Sequence, residues 1–559
     1  MKSSIFNFLT ASSFVLLIAL PTHAQWTSDT EANTTINDAA GPNYVPKIRT
    51  TLDGKFFISW FGGASNLNMN LQLLDFNGNE LWETNGITVS DHTQNSFVTD
   101  YALTTDTAGN AVVAFTDVRN GATNTMVYKV SQSGEMLFGE NGINPSPSDV
   151  GEYVPHLAIT TDNSVIVAWM RETDDGLTSV IQKIDEDGNK PWGDEGIVLN
   201  NDTAETQNPV PLATSDGGFL FIYYIQTGPF FSPNRYIYAQ KYSGMGETEW
   251  DQEVEICGLT RIPGFATLQV SSDENDGAIV TWYDDSNENS LANVAVQHIF
   301  SDGSLAFETN GIVIGRDDNG SNNFNFIPGA IGSDNDIYVY WSEANGGQSL
   351  FGLRGQKINS NGELQWGEFG KDLIPINSTF DFPSGLVLSN DTSYVIYEKH
   401  TEGQMLNQQI MVKALDEDGE GIYDGDIEIS TSNSQKLHTD HSSAYNNQFA
   451  VAWEDNGSSN TIKAQNLIIG DTSDVSTGID MYEYSLQVLE LRADKIFVLS
   501  QEKVNRIDFY NINGQIVQRN NIISENEIKL IEELPSGIYF AAAIDRKGNT
   551  IQVLKFIKH

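Results

Sequence analysis

The chain has 559 residues, of which 39% are hydrophobic and 10% aromatic, so it can form a large core and is not globally disordered. Its 75 acidic residues outnumber 30 basic ones, and the resulting net charge of -45 would repel nucleic acid and anionic membranes. The 48 glycines and only 16 prolines favour short strands joined by tight turns over long helices, which predicts an all-β protein.

The first 24 residues have the pattern of a secretory signal peptide. Lys2 precedes an apolar run at residues 14–20, and small residues flank His23 at the end of the segment. Because the run is shorter than the ~20 residues of a spanning helix, we expect cleavage after Ala24 and no transmembrane anchor. The mature chain keeps one cysteine, Cys257, which predicts a buried small side chain and no intramolecular disulfide.

An internal repeat is the strongest signal in the chain. A glycine is followed four residues later by an aromatic residue, and successive glycines are 54 to 59 residues apart. The pairs are Gly78/Trp82, Gly134/Phe138, Gly188/Trp192, Gly246/Trp250, Gly303/Phe307, Gly362/Trp366 and Gly419/Tyr423. Most of these glycines follow Asn or Asp, which is typical of two-residue hairpin turns with positive φ angles.

A second aromatic series runs out of phase with the first, and each member ends a short apolar run that follows a turn. The series is Trp60, Phe115, Trp169, Tyr224, Trp282, Trp341, Tyr397 and Trp453. Each repeat is therefore interpreted as a four-stranded antiparallel meander, and many such repeats predict a β-propeller whose blades pack through these aromatics.

The ends of the repeat region indicate how the propeller closes. The last repeat, near residues 442–470, lacks a fourth strand, while Trp26 stands 56 residues before Trp82. We therefore expect an N-terminal strand to complete the last of eight blades within residues 25–470. Seven blades would follow if the repeat containing the insertion at residues 228–234 is irregular. A stacked solenoid is the alternative architecture, although an open array needs no split terminal unit.

Carboxylates follow the second strand of six repeats and predict an acidic rim on the face that carries the longer loops. The candidates are Asp117, Glu172, Asp284 with Asp285, Glu343, Glu398, and Glu454 with Asp455. Carboxylates accept hydrogen bonds from sugar hydroxyls and ligate hard cations, so the rim would suit a glycan, a cationic ligand or Ca²⁺. The alternative is that they are charged strand ends that keep the surface soluble; Arg171 and Lys399 also interrupt the series.

Blade entries repeat as well, in the segments Tyr44-Val45-Pro46, Tyr153-Val154-Pro155, Phe326-Ile327-Pro328 and Phe382-Pro383. Proline is tolerated at the first residue of a strand, so these are interpreted as strand starts whose rings pack on the next blade. The other interpretation makes Tyr44, Tyr153 and Phe326 a stacking surface for sugar rings. One loop, residues 227–236 with Phe230, Phe231 and Arg235, is a further candidate for a partner contact.

No catalytic or cofactor motif stands out. Residues 185–188 and 416–419 resemble fragments of calcium loops, but they occupy the register of the repeat turns and are predicted to be turns. His438 and His441 lack a third ligand and are predicted to be loop histidines. No nucleophile elbow, P-loop or dinucleotide fingerprint is present. No metal or cofactor is predicted, and a binding protein is favoured over an enzyme.

The tail differs in composition and pattern from the repeats. Residues 481–559 contain ten acidic and ten basic residues and predict six or seven short strands in a small β-sandwich, after a linker at residues 471–480. Four segments stand out: residues 508–511, 513–515, 534–540 and 555–558. Together they resemble the type A C-terminal sorting domain of the type IX secretion system of Bacteroidetes.

That resemblance implies a sorting signal formed by Asn513, Gly514, Gln515, Pro535, Gly537, Tyr539, Lys555 and Lys558. It also implies Sec-dependent passage to the periplasm, recognition of the tail by the translocon, and delivery to the cell surface or medium. The sequence therefore predicts an exported propeller that binds a glycan or a protein on its loop face. Two alternatives are a secreted polysaccharide hydrolase or lyase that uses the rim carboxylates and a self-associating surface-layer component.

Overall fold

A computed structural model gives the fold, and every regular element in the described part of the chain is a β-strand. The described residues are 26–39, 41–63, 66–94, 100–199, 201, 203–228, 233–258, 268–284, 292–315, 322–324, 329–332, 335–377, 381–401, 404–456, 460–469, 489–492, 495–498, 506–511, 516–521, 527–529, 537–544 and 550–558. Within these ranges no helix is long and apolar enough to cross a membrane. The chain divides into two compact units, one ending at Ile479 and the other starting at Asp480.

The first unit begins with a single strand and continues as consecutive antiparallel meanders, which we call sheets A to H. The single strand is β1 (Thr34–Asn37). Sheet A contains β2 (Asn43–Thr50), β3 (Phe56–Gly62), β4 (Asn68–Leu74) and β5 (Ile87–Ser90). Sheet B contains β6 (Ala102–Thr105), β7 (Ala111–Asp117) and β8 (Asn124–Val130). Sheet C contains β9 (Glu152–Ile159), β10 (Val165–Thr173), β11 (Gly176–Ile184) and β12 (Ile197–Val198). Sheet D contains β13 (Glu205–Ala213), β14 (Phe219–Thr227), β15 (Asn234–Tyr242) and β16 (Val254–Cys257).

The later meanders follow the same plan. Sheet E contains β17 (Gln269–Ser272), β18 (Ala278–Asp284), β19 (Asn293–Ile299) and β20 (Ile312–Val313). Sheet F contains β21 (Asn322–Phe324), β22 (Ala330–Ile331), β23 (Ile337–Ala344), β24 (Phe351–Ile358) and β25 (Lys371–Asn377). Sheet G contains β26 (Asp381–Ser389), β27 (Thr392–Thr401), β28 (Gln404–Leu415) and the first half of β29 (Ile427–His441). Sheet H contains the second half of β29, β30 (Gln448–Asn456) and β31 (Asn460–Ile468).

Sheet H receives its fourth strand from the N-terminus. Strand β1 pairs with β31 through Thr34 opposite Ala464 and Thr35 opposite Lys463. Nearby, the Asn33 side chain donates a hydrogen bond to the carbonyl oxygen of Ile429 at 2.9 Å and accepts one from Ser430. This is the placement of the N-terminal strand that the incomplete last repeat predicts.

The hydrophobic core is distributed between the sheets. Each buried cluster draws on two consecutive sheets, so that A packs on B, B on C, and so on to G on H. A further cluster joins sheet H to sheet A and includes Trp26 and Ile36 from the N-terminal segment. The series of sheets therefore closes on itself, and the all-β, propeller-like arrangement predicted from the repeat is confirmed.

The aromatic residues of the glycine series lie at these junctions. The indole nitrogens of Trp26, Trp82 and Trp366 donate hydrogen bonds of 2.9 to 3.2 Å to the carbonyl two residues before the repeat glycine of the next sheet. The indole of Trp192 lies so close to Gly246 that a Cβ there would be 2.9 Å from Cε2 of the ring. Glycine is required here by its positive φ and by the approach of the ring.

This junction can be tested with Gly246→Ala and the control Gly193→Ala. Both glycines have φ near +85°, but an added Cβ at Gly193 would meet no heavy atom within 4 Å. We expect the control to lower the free energy of unfolding by about 1 kcal/mol through backbone strain. Gly246→Ala should cost about 1–2 kcal/mol more because Trp192 must move. Equal destabilisation in urea titrations would show that the aromatic contact is unimportant.

The second unit contains two small sheets. One has the order β32 (Leu489–Arg492), β33 (Lys495–Val498) and β36 (Glu527–Lys529). The other has the order β35 (Ile516–Asn521), β34 (Arg506–Asn511), β37 (Gly537–Ile544) and β38 (Thr550–Lys558). Seven strands in this segment agree with the six or seven that the sequence predicts.

Candidate functional site

The first strands of the sheets surround a common centre. Strand β2 contacts β6, β6 contacts β9, β9 contacts β13, and β29 contacts both β26 and β2. Middle strands such as β3, β7 and β8 are buried at every residue, whereas β2 alternates between buried and partly exposed positions. Polar side chains can therefore reach solvent from the first strands, and the centre is where such groups collect.

Four of these first strands carry the same irregularity. Each shifts register against its second strand, and one residue at the shift has a φ of about +50°: Val45, Val154, Asn208 and His438. The left-handed region is rare for a β-branched residue such as valine. Bulges of this kind redirect the following side chains and occur often beside functional sites. The Tyr-Val-Pro entries are thus β-bulges, a feature the sequence analysis missed.

In three of these strands, the residue two positions after the left-handed residue takes an equivalent place around the centre. Lys47 pairs with Ser59, His156 with Ala168, and Asp440 with Ala452. Each pairing partner directly precedes a tryptophan of the second strand. The sequence signal was the residue after each Tyr-Val-Pro, which is Lys47 in one repeat and His156 in another.

A cavity of about 280 Å³ lies against the first strands of sheets A, B and C. Its polar lining includes Lys47, Arg49, Asp100, Tyr101 and His156. The Lys47 ammonium lies 5.2 Å from the centre of the Tyr101 ring. Within the described residues this ammonium has no hydrogen bond or ion pair with the protein.

The hydroxyl group of Tyr101 ties the bulge to the cavity. It donates to the carbonyl oxygen of Val45 at 2.9 Å and lies 2.8 Å from the hydroxyl of Ser59. Burial raises the pKa of Tyr101 far above its ordinary value, so the phenol is neutral. The residue therefore holds the Val45 bulge in place beneath Lys47.

Arg49 is held by an acidic partner on the neighbouring sheet. Its Nη1 lies 2.7 Å from Oδ2 of Asp440, which also accepts a 2.8 Å hydrogen bond from the backbone of Ile48. Burial alone would raise the pKa of Asp440, but Arg49 and Lys47 outweigh it and hold that pKa below its usual range. Asp440 is therefore ionised and largely balances the charge of Arg49.

The two partly buried imidazoles of His156 and His441 are neutral at pH 7. Burial lowers the pKa of His156 to about 4, with Lys47 acting in the same direction and Asp100 against it. Burial also lowers the pKa of His441, whose ring covers Gly385 so closely that a Cβ there would overlap it. Both His441 and His438 belong to β29, so the prediction of loop histidines is wrong.

His438 lies on the bulge of sheet H with its side chain half exposed. Its Nδ1 is 2.9 Å from Oε2 of Glu454, whose side chain is only 2% exposed. Glu454 also accepts a 2.9 Å hydrogen bond from the side chain of Asn456. In the tautomer whose Nδ1–H donates to this carboxylate, Nε2 is the remaining hydrogen-bond acceptor of the ring.

Most carboxylates of the predicted rim point into the protein. Asp117 is buried and accepts from Nε of Arg119 at 2.9 Å, and Glu343 is buried and lies 2.7 Å from Nε of Arg354. Asp284 is buried, and Asp455 accepts hydrogen bonds from Ser434 at 2.9 Å and Trp453 at 3.3 Å. In Glu398, burial raises the pKa and the side chain accepts a hydrogen bond from Thr439.

Glu172 differs because it is exposed and joined to an aromatic residue of the blade entry. It accepts a 2.7 Å hydrogen bond from the hydroxyl of Tyr153, and this bond raises the pKa of Tyr153 to about 12. Tyr44 is partly buried at the equivalent entry of sheet A. Phe326 lies outside the described residues, as do Phe230 and Phe231.

Arg235 belongs to the loop that the sequence suggests as a partner contact. Its side chain is buried in sheet D. It donates hydrogen bonds to the side chains of Gln226 at 2.7 Å and Gln207 at 3.0 Å. The loop that resembles a calcium site at Asp185 is a turn in which that carboxylate accepts backbone hydrogen bonds from Asp187 and Asn189. No cluster of three metal-ligating side chains occurs among the residues the structure describes.

The residues of the predicted sorting signal fall in two groups. Gly537 and Tyr539 lie in β37, and Lys555 and Lys558 lie in β38, which pairs with it so that Gly537 is opposite Lys558. The others, Asn513, Gly514, Gln515 and Pro535, lie outside the described residues.

The tail matches a known family. Residues 492–559 match the family described as the secretion system C-terminal sorting domain, which confirms the type IX sorting tail expected from the sequence. This tail implies interaction with that secretion system and export to the cell surface or medium. No curated protein matches the chain.

Solved structures resemble the chain at low identity. A protein of unknown function from Dyadobacter fermentans is 9% identical, with coverage of 79% of this chain and 99% of that one and a TM-score of 0.38. A PL25 ulvan lyase is 9% identical, covering 81% and 98%, with a TM-score of 0.43. The alpha-L-arabinanase of Penicillium chrysogenum complexed with arabinobiose is 13% identical, covering 61% and 97%, with a TM-score of 0.32.

The contribution of a buried ion pair to stability can be tested at Arg171. Its Nη2 lies 2.8 Å from Oε1 of Glu152, whose side chain is fully buried. Burial raises the pKa of Glu152 despite hydrogen bonds from Thr125 and Arg171. We expect Arg171→Met to lower the free energy of unfolding by about 3 kcal/mol at pH 7, because the charge of Glu152 loses its partner.

The sign of the pH dependence follows from the raised pKa. An acid whose pKa is higher when folded takes up its proton more readily in the native state, so the defect should shrink as the pH falls from 7 towards 5. Lys371→Met, which breaks an exposed pair with Glu420, should change stability by less than about 0.5 kcal/mol at either pH. A defect in Arg171→Met that grows on acidification would contradict this account.

Proposed function

We propose that this chain is an exported eight-bladed β-propeller that binds a glycan or a protein at the channel rim on its loop face. The blades are sheets A to H, and β1 completes the eighth. The shared clusters, which return from sheet H to sheet A, support this number. The proposal includes a signal peptide at residues 1–24, Sec-dependent export, a linker at 471–480 and a C-terminal β-sandwich at 481–559.

One observation carries the binding function. Solvent-accessible polar groups on the first strands are held in fixed positions by carboxylates of the adjoining second strand. Glu172 holds the hydroxyl of Tyr153, and Glu454 holds the imidazole of His438. Both pairs lie at the bulges of Val154 and His438. Fixed aromatic and hydrogen-bonding groups around an opening suit recognition of sugar hydroxyls or of a polar peptide segment.

The predicted rim carboxylates take different parts in this proposal. Glu172 and the rings of Tyr44 and Tyr153 are the proposed contacts. Asp117, Glu343 and Asp455 support the loops from within because their oxygens are engaged by neighbouring side chains. Asp284 is also buried, and Phe326 stays in the proposal as a ligand contact on the strength of the sequence pattern alone. No cofactor is proposed, and Ca²⁺ enters only as a test condition.

Binding at the rim can be measured with purified mature protein on an array of algal, plant and host polysaccharides, with Ca²⁺ or a chelator. We expect saturable retention of at least one glycan and a tenfold or larger loss of affinity in Tyr153→Ala. Met245→Ala, an exposed change in the hairpin turn of sheet D, is the control and should bind normally. A Tyr153→Ala variant with full affinity would place the binding surface elsewhere.

A polysaccharide hydrolase or lyase is the second candidate, and the His438–Glu454 pair favours it. An exposed imidazole oriented by a buried carboxylate has the arrangement of a general base. Under this alternative the wild type releases reducing ends or unsaturated products, and His438→Gln lowers that rate at least a hundredfold. His92→Gln, at a position outside the first strands, serves as the control. Retention of polysaccharide without any product supports the binding function.

A further inference from the structure

The cavity between the first strands of sheets A, B and C is lined by a cation that has no hydrogen bond or ion pair with the described residues. We propose that this cavity is a subsite for one anionic sugar residue, whose carboxylate or sulfate group binds the ammonium of Lys47. This inference rests on the proposed function in one respect, namely that the ligand at the rim is a glycan.

The use of basic residues elsewhere in the chain supports the choice of Lys47. Acidic residues outnumber basic ones 75 to 30, so partners for a cation are abundant. In the described parts of sheets A to H, the other lysines and arginines form ion pairs or hydrogen bonds with protein atoms, with Lys399 as the one further exception. An ammonium that lines a cavity without such a partner is a ready binding site for an anion.

The side chains of Arg49, Tyr101 and His156 beside Lys47 add little net charge to the cavity. Arg49 is engaged by Asp440 at 2.7 Å, so this pair contributes little net charge to the cavity. Tyr101 and His156 are neutral, and the Lys47 ammonium rests over the Tyr101 ring, which favours a cation. Lys47 is therefore the cation of this cavity that an anionic group can bind, and Asp100 is the one acidic side chain named beside it in the lining.

The other groups suit the remainder of a sugar. Asp100 lines the same cavity and can accept hydrogen bonds from hydroxyls, while the imidazole of His156 can donate or accept. A volume of about 280 Å³ is at the lower end for small-molecule sites, which favours one residue of a chain over an oligosaccharide. An ammonium and a carboxylate on one cavity wall match a sugar acid better than a neutral sugar.

The overall negative charge of the protein does not exclude an anionic ligand. At physiological ionic strength the Debye length is about 8 Å, so carboxylates further away are largely screened. The local ammonium then dominates the interaction, and its removal should affect acidic glycans far more than neutral ones.

The test uses the mature wild-type protein with Lys47→Met, Lys47→Arg and the control Lys399→Met, each checked by thermal unfolding. Affinities are measured for polygalacturonate and alginate as carboxylated glycans, carrageenan as a sulfated glycan, and laminarin as a neutral one. We expect Lys47→Met to weaken binding of the carboxylated or the sulfated class at least tenfold. Lys47→Arg and Lys399→Met should stay within about threefold of wild type, and the class that responds identifies the anionic group.

Failure of this inference is distinguishable from failure of the proposed function. If acidic glycans bind Lys47→Met as tightly as wild type, or if only laminarin binds, the anionic subsite is refuted while rim binding stands. If no polymer binds wild type, the glycan proposal fails, and titration with galacturonate and with galactose 6-sulfate decides the subsite. Saturable binding of either that is lost in Lys47→Met supports it, and no binding of either refutes it.

Discussion

The fold depends on a single constraint: within the described residues, no sheet of the repeat region has a hydrophobic core of its own. Every buried cluster is shared by two consecutive sheets, and the hairpin aromatic of one sheet lies against the turn glycine of the next. A meander of four short strands cannot bury both of its faces alone, so stability comes from the junctions. The junction between sheets H and A is formed by Trp26 and Ile36, far from sheet H in the sequence.

This constraint also determines where function can reside. Middle strands are buried on both faces because both faces pack, which leaves their side chains little freedom to vary. First strands meet around the centre, where part of each strand is in contact with solvent. The bulges at Val45, Val154 and His438 occur on these first strands. Because the first strands are partly in contact with solvent, they can carry the polar groups of the proposed site.

Much of the fold could be predicted from the sequence because its determinants are local. Asn-Gly and Asp-Gly turns, aromatic spacing and the unpaired last repeat each indicate a structure without knowledge of distant contacts. The internal partners of the rim carboxylates were harder to predict. Arg119 is only two residues from Asp117, but Arg354 reaches Glu343 from the next strand, and that contact requires the register of the pair.

The central groups were missed for a related reason. Lys47, His156 and Asp440 are far apart in the chain and become equivalent only through the bulge and the pairing register of their strands. Tyr-Val-Pro was visible twice, but its meaning as a bulge depends on a left-handed valine that no residue preference predicts. The spacing of these residues in the sequence does not show that their positions are equivalent. The pairing register of the strands in the structure does.

The distribution of charge follows from the same architecture. Several of the few basic residues are buried: Arg354 pairs with Glu343, and Lys436 donates hydrogen bonds to the carbonyl oxygens of Gln408 and Ser432. Burial lowers the pKa of Lys436 to about 8, which measures how unfavourable such a position is for a charge. These buried cations are engaged by acceptors in the interior and do not offset the acidic residues of the surface. Lys47 differs because it lines the cavity with no such acceptor among the described residues, and this difference is the basis of the proposed anionic subsite.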